Sequence, residues 1–167
     1  MGSARDFLLL AALILTLTAA PLAAQERPVV VDGTAGYTGL VDDATDHFLA
    51  LGGAVRVYLT PHISVGPEFV YMFGDDAIRD RAAMLTGNVT IDVFPVNTRR
   101  VTPFVVAGGG MFWSRESFPS GPFWSSDPAF TAGGGVRVKV GERVSLAAEY
   151  RLGWELHHRL TGSVILK

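Results

Sequence analysis

The sequence predicts an all-β fold: an eight-stranded antiparallel up-and-down β-barrel that crosses a membrane. Two observations support it. Apolar residues alternate with less apolar ones in eight successive runs, and turn signals separate the runs. The composition agrees, since 49% of the residues are hydrophobic and only 18% are charged. A net charge of −2 predicts no nucleic-acid partner, and the absence of cysteine excludes disulfides and thiolate metal sites.

The first 24 residues predict a cleaved secretory signal peptide. Arg5 supplies the positive charge, an apolar stretch runs from Phe7 to Leu17, and small residues precede the expected cleavage after Ala24. The apolar stretch is too short to span a bilayer, although an uncleaved anchor helix is the alternative. Residues 25–167 then form the exported barrel domain.

The first four runs alternate in steps of two. Residues 31–41 are the weakest run, with a polar side that begins at Asp32. Residues 48–59 are the clearest, because every second residue is aliphatic or glycine. Residues 63–72 contain Pro67, which cannot donate a ladder hydrogen bond, so we expect a bulge or local bend there. Residues 85–93 alternate aliphatic side chains with Thr, Asn and Asp.

The last four runs cover residues 103–113, 132–140, 144–152 and 159–166. The first two of these each contain three consecutive glycines. No P-loop pattern accompanies the glycines, so we interpret them as packing positions in a tight barrel rather than as a phosphate-binding loop. The final two runs place Arg and Glu on one face and aliphatic residues on the other.

The connections between the runs differ in length. Three are short, namely residues 60–62, 95–100 and 141–143. Three are longer or more polar, namely residues 42–47, 74–80 and 114–127, and a brief fourth lies on their side near residues 153–157. Short turns at one end and longer loops at the other are typical of outer-membrane barrels, whose short turns are periplasmic.

The apolar face carries no charge, which predicts that it meets lipid. The other face is too poor in polar groups for a solvent surface, which predicts a narrow lumen filled by side chains. Buried charges need partners, so we expect a salt-bridged plug rather than an open ion channel. The candidate members are Asp32, Arg56, Glu68, Asp92, Arg137, Lys139, Glu149, Arg151 and Arg159. Outward aromatic residues near the long-loop ends predict an interfacial girdle, formed by Tyr71, Trp113, Phe130 and Tyr150.

The connection at residues 114–127 is the most distinctive one. It holds Phe118, Phe123 and Trp124 among Pro, Ser and Gly, and exposed aromatic side chains on a loop can form a contact surface. They can equally fold onto the barrel mouth. We expect any extracellular partner to bind here.

Other candidate chemistry is weaker. Three histidines lie near the long-loop rim, namely His47, His157 and His158, and a metal site or a hydrolytic centre is conceivable there. No clear nucleophile accompanies them, so we interpret them as solvated rim residues. The paired acids at residues 42–43 and 75–76 could bind divalent cations that bridge lipopolysaccharide, although solvated carboxylates are commoner. We therefore predict no catalytic residue, no metal and no cofactor.

The chain resembles the outer-membrane β-barrel domain family, the small eight-stranded OmpA/OmpX-like barrels, over residues 28–167. The resemblance rests on residues 66–69, 102–110, 132–137 and 159–166. It implies the outer membrane of a Gram-negative-type bacterium, contact with lipid and lipopolysaccharide, assembly by the barrel assembly machinery, and no shared catalytic site. Such chains usually end in an aromatic residue, whereas Lys167 follows Leu166 here, so either Leu166 takes that place or one residue is missing.

The expected function is structural or surface-interacting, with the long loops as the contact surface. Two alternatives remain open. One is a barrel-embedded hydrolase or acyltransferase that modifies envelope lipids. The other is a soluble periplasmic barrel that binds a hydrophobic ligand, in which Leu49, Val55 and Val89 would face inward.

Overall fold

The computed structural model describes residues 28–41, 45–74, 81–96, 98–118, 121–153 and 157–167, with the backbone alone at residues 40–41, 45–47, 116–118 and 122. The predicted signal peptide, residues 1–24, lies outside the described residues. Eight strands follow one another: β1 (Val29–Val41), β2 (Thr45–Tyr58), β3 (Ile63–Gly74), β4 (Arg81–Asp92), β5 (Val101–Phe118), β6 (Gly121–Lys139), β7 (Val144–Gly153) and β8 (His158–Leu166).

The strands form a closed barrel in sequence order, and every neighbouring pair is antiparallel. The barrel closes between β1 and β8, from Val31 opposite Leu166 to Gly39 opposite His158. The predicted fold class is therefore confirmed. No helix among the described residues is long and apolar enough to cross a membrane.

The faces of the strands follow the predicted alternation. Leu49, Val55 and Val89 are about half exposed on the outside of the barrel, whereas Ala50 and Arg56 are buried inside it. An aliphatic exterior suits lipid, because a charged group in the middle of the membrane would have to be desolvated. The alternative of a soluble barrel with an apolar ligand-binding interior does not fit, since the three side chains that would line its interior lie outside.

The barrel has two distinct ends. The short connections at residues 59–62, 93–100 and 140–143 lie at one end, which we call the turn end. The other end carries the tip of the β5–β6 pair, and we call it the hairpin end. The girdle candidates Phe130 and Tyr150 are exposed on the outer surface. Tyr150 lies in the part of β7 nearest the hairpin end, and Phe130 lies at the midpoint of β6.

The prediction that residues 114–127 form a loop is wrong. Residues 114–118 continue β5, residues 121–127 begin β6, and they pair in register from Ser114 opposite Ser125 to Phe118 opposite Gly121. We call these two segments the hairpin extension. Gly121 has φ +126°, a conformation that glycine adopts without strain, directly after the turn. The Pro, Ser and Gly content suggested a loop, but cross-strand hydrogen bonds override such a weak local preference.

Two smaller corrections concern β2 and β3. Residues 45–47, predicted as part of a loop, pair with the end of β1. At Pro67 no residue is inserted, since the pairs Ala54–Glu68 and Val57–Val65 keep one register, so the expected bulge is absent. Instead the β2–β3 pairing is interrupted opposite Pro67, while its pairing with Gly87 of β4 is continuous. The proline lacks the N–H group that one ladder needs, and only that ladder is interrupted.

The lumen is layered. Near the hairpin end lies a buried apolar cluster, which we call the apolar cap; it consists of Phe48, Ala50, Val70, Met72, Ala82, Met84, Phe112 and Ala129. A second cluster of Val30, Tyr58 and Ile165 lies nearer the turn end. Between them the inward side chains are polar and charged. This middle layer is the candidate site.

Candidate functional site in the barrel lumen

The middle layer contains four buried or half-buried carboxylates and four arginines in ion pairs. The carboxylates come from β1, β3, β4 and β7, and the arginines come from β2, β6, β7 and β8. Several pairs therefore join strands that are not neighbours in the sheet. Their charges cancel, since four positive groups face four negative ones. Eight of the nine side chains proposed from the sequence meet here: Asp32, Arg56, Glu68, Asp92, Arg137, Glu149, Arg151 and Arg159.

One group joins β2, β4 and β6. Nη1 of Arg137 lies 2.9 Å from Oδ1 and 3.0 Å from Oδ2 of Asp92. Tyr58 donates its hydroxyl proton to Oδ2 of Asp92 at 2.7 Å and accepts a bond from Arg137 at 2.9 Å. The guanidinium of Arg137 also lies 5.1 Å from the centre of the Phe104 ring. Burial makes these charge-assisted bonds stronger than they would be in water.

A second group is centred on Glu68 of β3. Its Oε2 accepts bonds from Nη1 of Arg151 and from the side-chain amide of Asn88, both at 2.8 Å. Its Oε1 accepts a bond from Nη2 of Arg159, also at 2.8 Å. Glu149 binds Nε of Arg151 and lies 3.8 Å from Arg159. Two carboxylates and two guanidinium groups therefore form one neutral cluster that links β3 to β7 and β8.

The third group is a single ion pair between adjacent strands. Arg56 of β2 binds Oδ2 of Asp32 on the adjacent β1, with N–O distances of 2.7 Å. Between this pair and the other two groups lies a cavity of about 30 Å³, lined by Asp32, Arg56, Glu68, Arg137, Glu149 and Arg151 among others. A water needs roughly 10–15 Å³ measured in this way, so the cavity has room for about two water molecules. Asp32, whose Oδ1 has no hydrogen-bond partner within the described structure, lines this cavity.

Lys139 is the exception among the proposed lumen charges. It is half buried at the end of β6, and no described carboxylate forms an ion pair with it. It faces the same side of the strand as Arg137, as the alternation predicted, but it lies one step nearer the turn end.

Sequence reasoning missed the neutral members of the site. Tyr58, Asn88 and Thr131 all contact its charged groups, the last through an oxygen 3.5 Å from Nη1 of Arg151. All three lie on inward faces of their strands. Charge alone does not mark such residues, but any buried inward side chain that forms hydrogen bonds can belong to the site.

The candidate contact surface lies on the hairpin extension. Trp124 and Phe123 have exposed fractions of 66% and 58% and point to opposite faces of the hairpin, while the side chain of Phe118 lies outside the described residues. The guanidinium of Arg115 lies 5.1 Å from the centre of the Trp124 ring. The two described aromatic side chains therefore stand away from the barrel mouth rather than folding into it.

The histidines do not form a shared site. His157 is buried, so it is not the solvated rim residue that the sequence suggested, and His158 is half buried. The side chain of His47 and the acid pairs at residues 42–43 and 75–76 lie outside the described residues. Among the described side chains, no group of three or more His, Asp or Glu residues is placed to hold a metal ion.

The family of the chain follows from its sequence. A model of the family described as "Outer membrane protein beta-barrel domain" matches residues 9–161. The chain belongs to this family. It is thus an outer-membrane β-barrel, which agrees with its lipid-compatible exterior.

Solved structures show the same fold in other outer-membrane barrels. Neisserial surface protein A is 12% identical, with a TM-score of 0.72, and the match covers 83% of this chain and 96% of that one. The N-terminal β-barrel domain of OprF from Pseudomonas aeruginosa is 10% identical, with a TM-score of 0.66 and coverage of 83% and 95%. Ail, the attachment invasion locus protein of Yersinia pestis, is 12% identical, with a TM-score of 0.53 and coverage of 82% and 93%. No curated protein sequence matches this outer-membrane barrel significantly.

Proposed function

We propose that this outer-membrane barrel is a non-enzymatic protein with a closed lumen, whose hairpin extension is a contact surface outside the cell. The observation that carries the first part is the filling of the lumen. The apolar cap lies near the hairpin end, the ion-paired groups fill the middle, and a cavity of only about 30 Å³ lies among them. An ion that crossed the barrel would have to displace both layers.

Conductance tests the closed lumen. The purified protein is inserted into planar bilayers, with a sixteen-stranded porin as the positive control, because such barrels hold an aqueous channel. We expect no steady single-channel steps from the protein. Insertion is verified by the heat-dependent shift of its band on SDS gels. Steady conductance from inserted protein would contradict the closed lumen.

The contact surface is proposed from the shape of the hairpin extension. β5 and β6 have 18 and 19 residues, whereas the other strands have 9 to 14. Pairing with β4 ends at Arg115 and pairing with β7 ends at Thr131, so within the described residues the tip is paired only with itself. Pro122 and Pro128 lie on this free stretch of β6, and proline discourages the addition of another strand. The contact therefore uses side chains such as Trp124 rather than the strand edge.

The names of two proteins with this fold, a surface protein and an attachment invasion locus protein, are compatible with such a contact.

The first requirement of the proposed contact is that the hairpin extension is exposed at the cell surface. The chain has no cysteine, so a single introduced thiol reports one position. We expect Trp124→Cys to react with a membrane-impermeant maleimide on intact cells, and Glu142→Cys in the β6–β7 turn to react only after the outer membrane is permeabilised. The reverse pattern would place the hairpin extension in the periplasm and overturn the proposal.

Contact with lipopolysaccharide is proposed through the outer face near the hairpin end. Arg81 of β4 and Arg115 of β5 are directly opposite each other. Like charges in register repel, so an anion between them is favourable. They lie among the aromatic residues expected at the membrane boundary, where lipid phosphates are found. The test reconstitutes the protein with lipopolysaccharide and measures how much lipopolysaccharide stays bound after washing. The double variant Arg81→Gln with Arg115→Gln should retain less than the wild type. Equal retention by the two proteins would argue against this contact.

A further inference from the structure

Lys139, which the lumenal ion pairs leave out, belongs to a cluster of positive charges at the turn end. It lines a small cavity of about 10 Å³ together with Arg99, Arg100, Arg137 and Lys167. Among the described residues that line this cavity there is no Asp or Glu. Asp92, the nearest buried carboxylate, already binds Arg137 and Tyr58. Three of these cations, Arg99, Arg100 and Lys139, form no ion pair with a described Asp or Glu side chain.

The floor of the cavity is built rather than incidental. Arg137 is 6% exposed, and only its Nη1 is used by Asp92 and Tyr58. Its Nε and Nη2 are buried and have no hydrogen-bond partner within the described structure. Thr102 and Ser145 add two buried hydroxyl groups to the lining. Arg137 lines this cavity as well as the larger one, and an acceptor that reaches its free donors would remove the cost of burying them.

The electrostatics agree with this geometry. Burial, together with the positive charges of Arg137 and Lys139, lowers the pKa of Lys167, while Asp92 acts in the opposite direction. Arg137, Lys139 and Lys167 therefore lie close enough to repel one another. Arg99 and Arg100 are exposed at the rim of the cavity, so an anion can approach them from the solvent.

We propose that the turn end of the barrel is a binding site for a phosphate group, held by Lys139, Arg99 and Arg100 at the rim and by Arg137 at the floor. The cavity admits about one oxygen atom, so one phosphate oxygen enters it and the others remain at the rim. Guanidinium forks match the geometry of phosphate oxygens, and several cations suit a dianion better than a carboxylate. The phosphate can come from a lipid headgroup or from the aqueous phase. The site does not depend on the proposed function of the hairpin extension.

The test is calorimetric titration of inorganic phosphate into the full chain, folded in a phosphate-free zwitterionic detergent at constant ionic strength. We expect one site in the wild type and at least about tenfold weaker binding in Lys139→Gln, because one charge-assisted contact is lost. Lys139→Arg should restore binding. Arg143→Gln is the matched control, because Arg143 is an exposed cation in the adjacent turn that does not line the cavity.

Folding of each variant is checked by the heat-dependent gel shift, and phosphate should raise the unfolding temperature of the wild type more than that of Lys139→Gln. Micelles doped with phosphatidylglycerol separate the two sources. Loss of the phosphate signal in doped micelles indicates a lipid headgroup site, and an unchanged signal indicates a site for soluble phosphate. No binding by the folded wild type, or equal binding by Lys139→Gln and the wild type, would overturn the proposal.

Discussion

Replacing Glu68 by glutamine should destabilise the barrel more than any other single isosteric change in the lumen. The Glu68 carboxylate is 6% exposed and accepts three hydrogen bonds at 2.8 Å, from Arg151, Arg159 and Asn88. In Glu68→Gln, one carboxylate oxygen becomes an amide nitrogen, which is a donor. That donor would face a guanidinium or an amide, which are also donors.

The magnitude follows from the charge of the cluster. Glu68 and Glu149 balance Arg151 and Arg159, so the substitution leaves one buried positive charge without compensation. Breaking a buried ion pair by removing one partner costs about 3–5 kcal/mol in the free energy of unfolding. Glu142→Gln, an exposed acid in the β6–β7 turn, should change the free energy of unfolding by less than about 0.5 kcal/mol.

The assay is equilibrium unfolding in urea of protein reconstituted in lipid vesicles, followed by tryptophan fluorescence and by the gel shift. A double variant, Glu68→Gln with Arg159→Gln, sharpens the result because it returns the cluster to neutrality with Glu149 and Arg151. It should be more stable than the sum of the two single effects predicts, by about 1–3 kcal/mol. If Glu68→Gln lies within about 1 kcal/mol of the wild type, or if the two effects simply add, the ion-pair argument is refuted.

Three further changes test other parts of the barrel by the same unfolding assay. Gly110→Ala should lower the free energy of unfolding by about 1–3 kcal/mol, because the added Cβ would lie 1.9 Å from the carbonyl oxygen of Leu85. The control is the neighbouring Gly109→Ala, whose Cβ would lie 3.6 Å from its nearest neighbour and which should be nearly neutral. Equal effects of the two changes would contradict the packing role of the glycines. Tyr58→Phe should cost about 1–3 kcal/mol, because buried Asp92 loses a donor, and a neutral result would count against that bond. Trp124→Ala should cost less than about 1 kcal/mol, since exposed Trp124 contributes mainly its contact with Arg115; a larger loss would mean that the hairpin extension supports the barrel.

Much of the fold could be predicted because alternation separates the two faces of each strand and the distribution of charge indicates which face is inside. Leu49 has an odd position in β2 and lies outside the barrel, whereas Arg56 has an even position and lies inside, as a period of two requires. The lengths of β5 and β6 could not be predicted in this way. The segment around Trp124 and Pro128 has a loop-like composition, and it is a strand only because the chain on both sides of the turn pairs with itself. That pairing depends on both segments together, and the composition of either segment alone does not contain it.

The contrast between Arg137 and Lys139 shows why the partners within the lumen needed the structure. Both face inward from β6, two residues apart, so alternation makes them equivalent. The registers of β4–β5 and β5–β6 place Asp92 opposite Phe104, and Phe104 opposite Gly135. Arg137 is one inward position beyond Gly135, and its guanidinium reaches back across the Phe104 ring to Asp92. Lys139 is one position further and meets the basic turn end instead. A slip of two residues between β5 and β6 would keep every side chain on its predicted face, but it would pair Asp92 with Lys139 instead of Arg137. The stagger of the strands, and not their alternation, therefore selects the ion pairs.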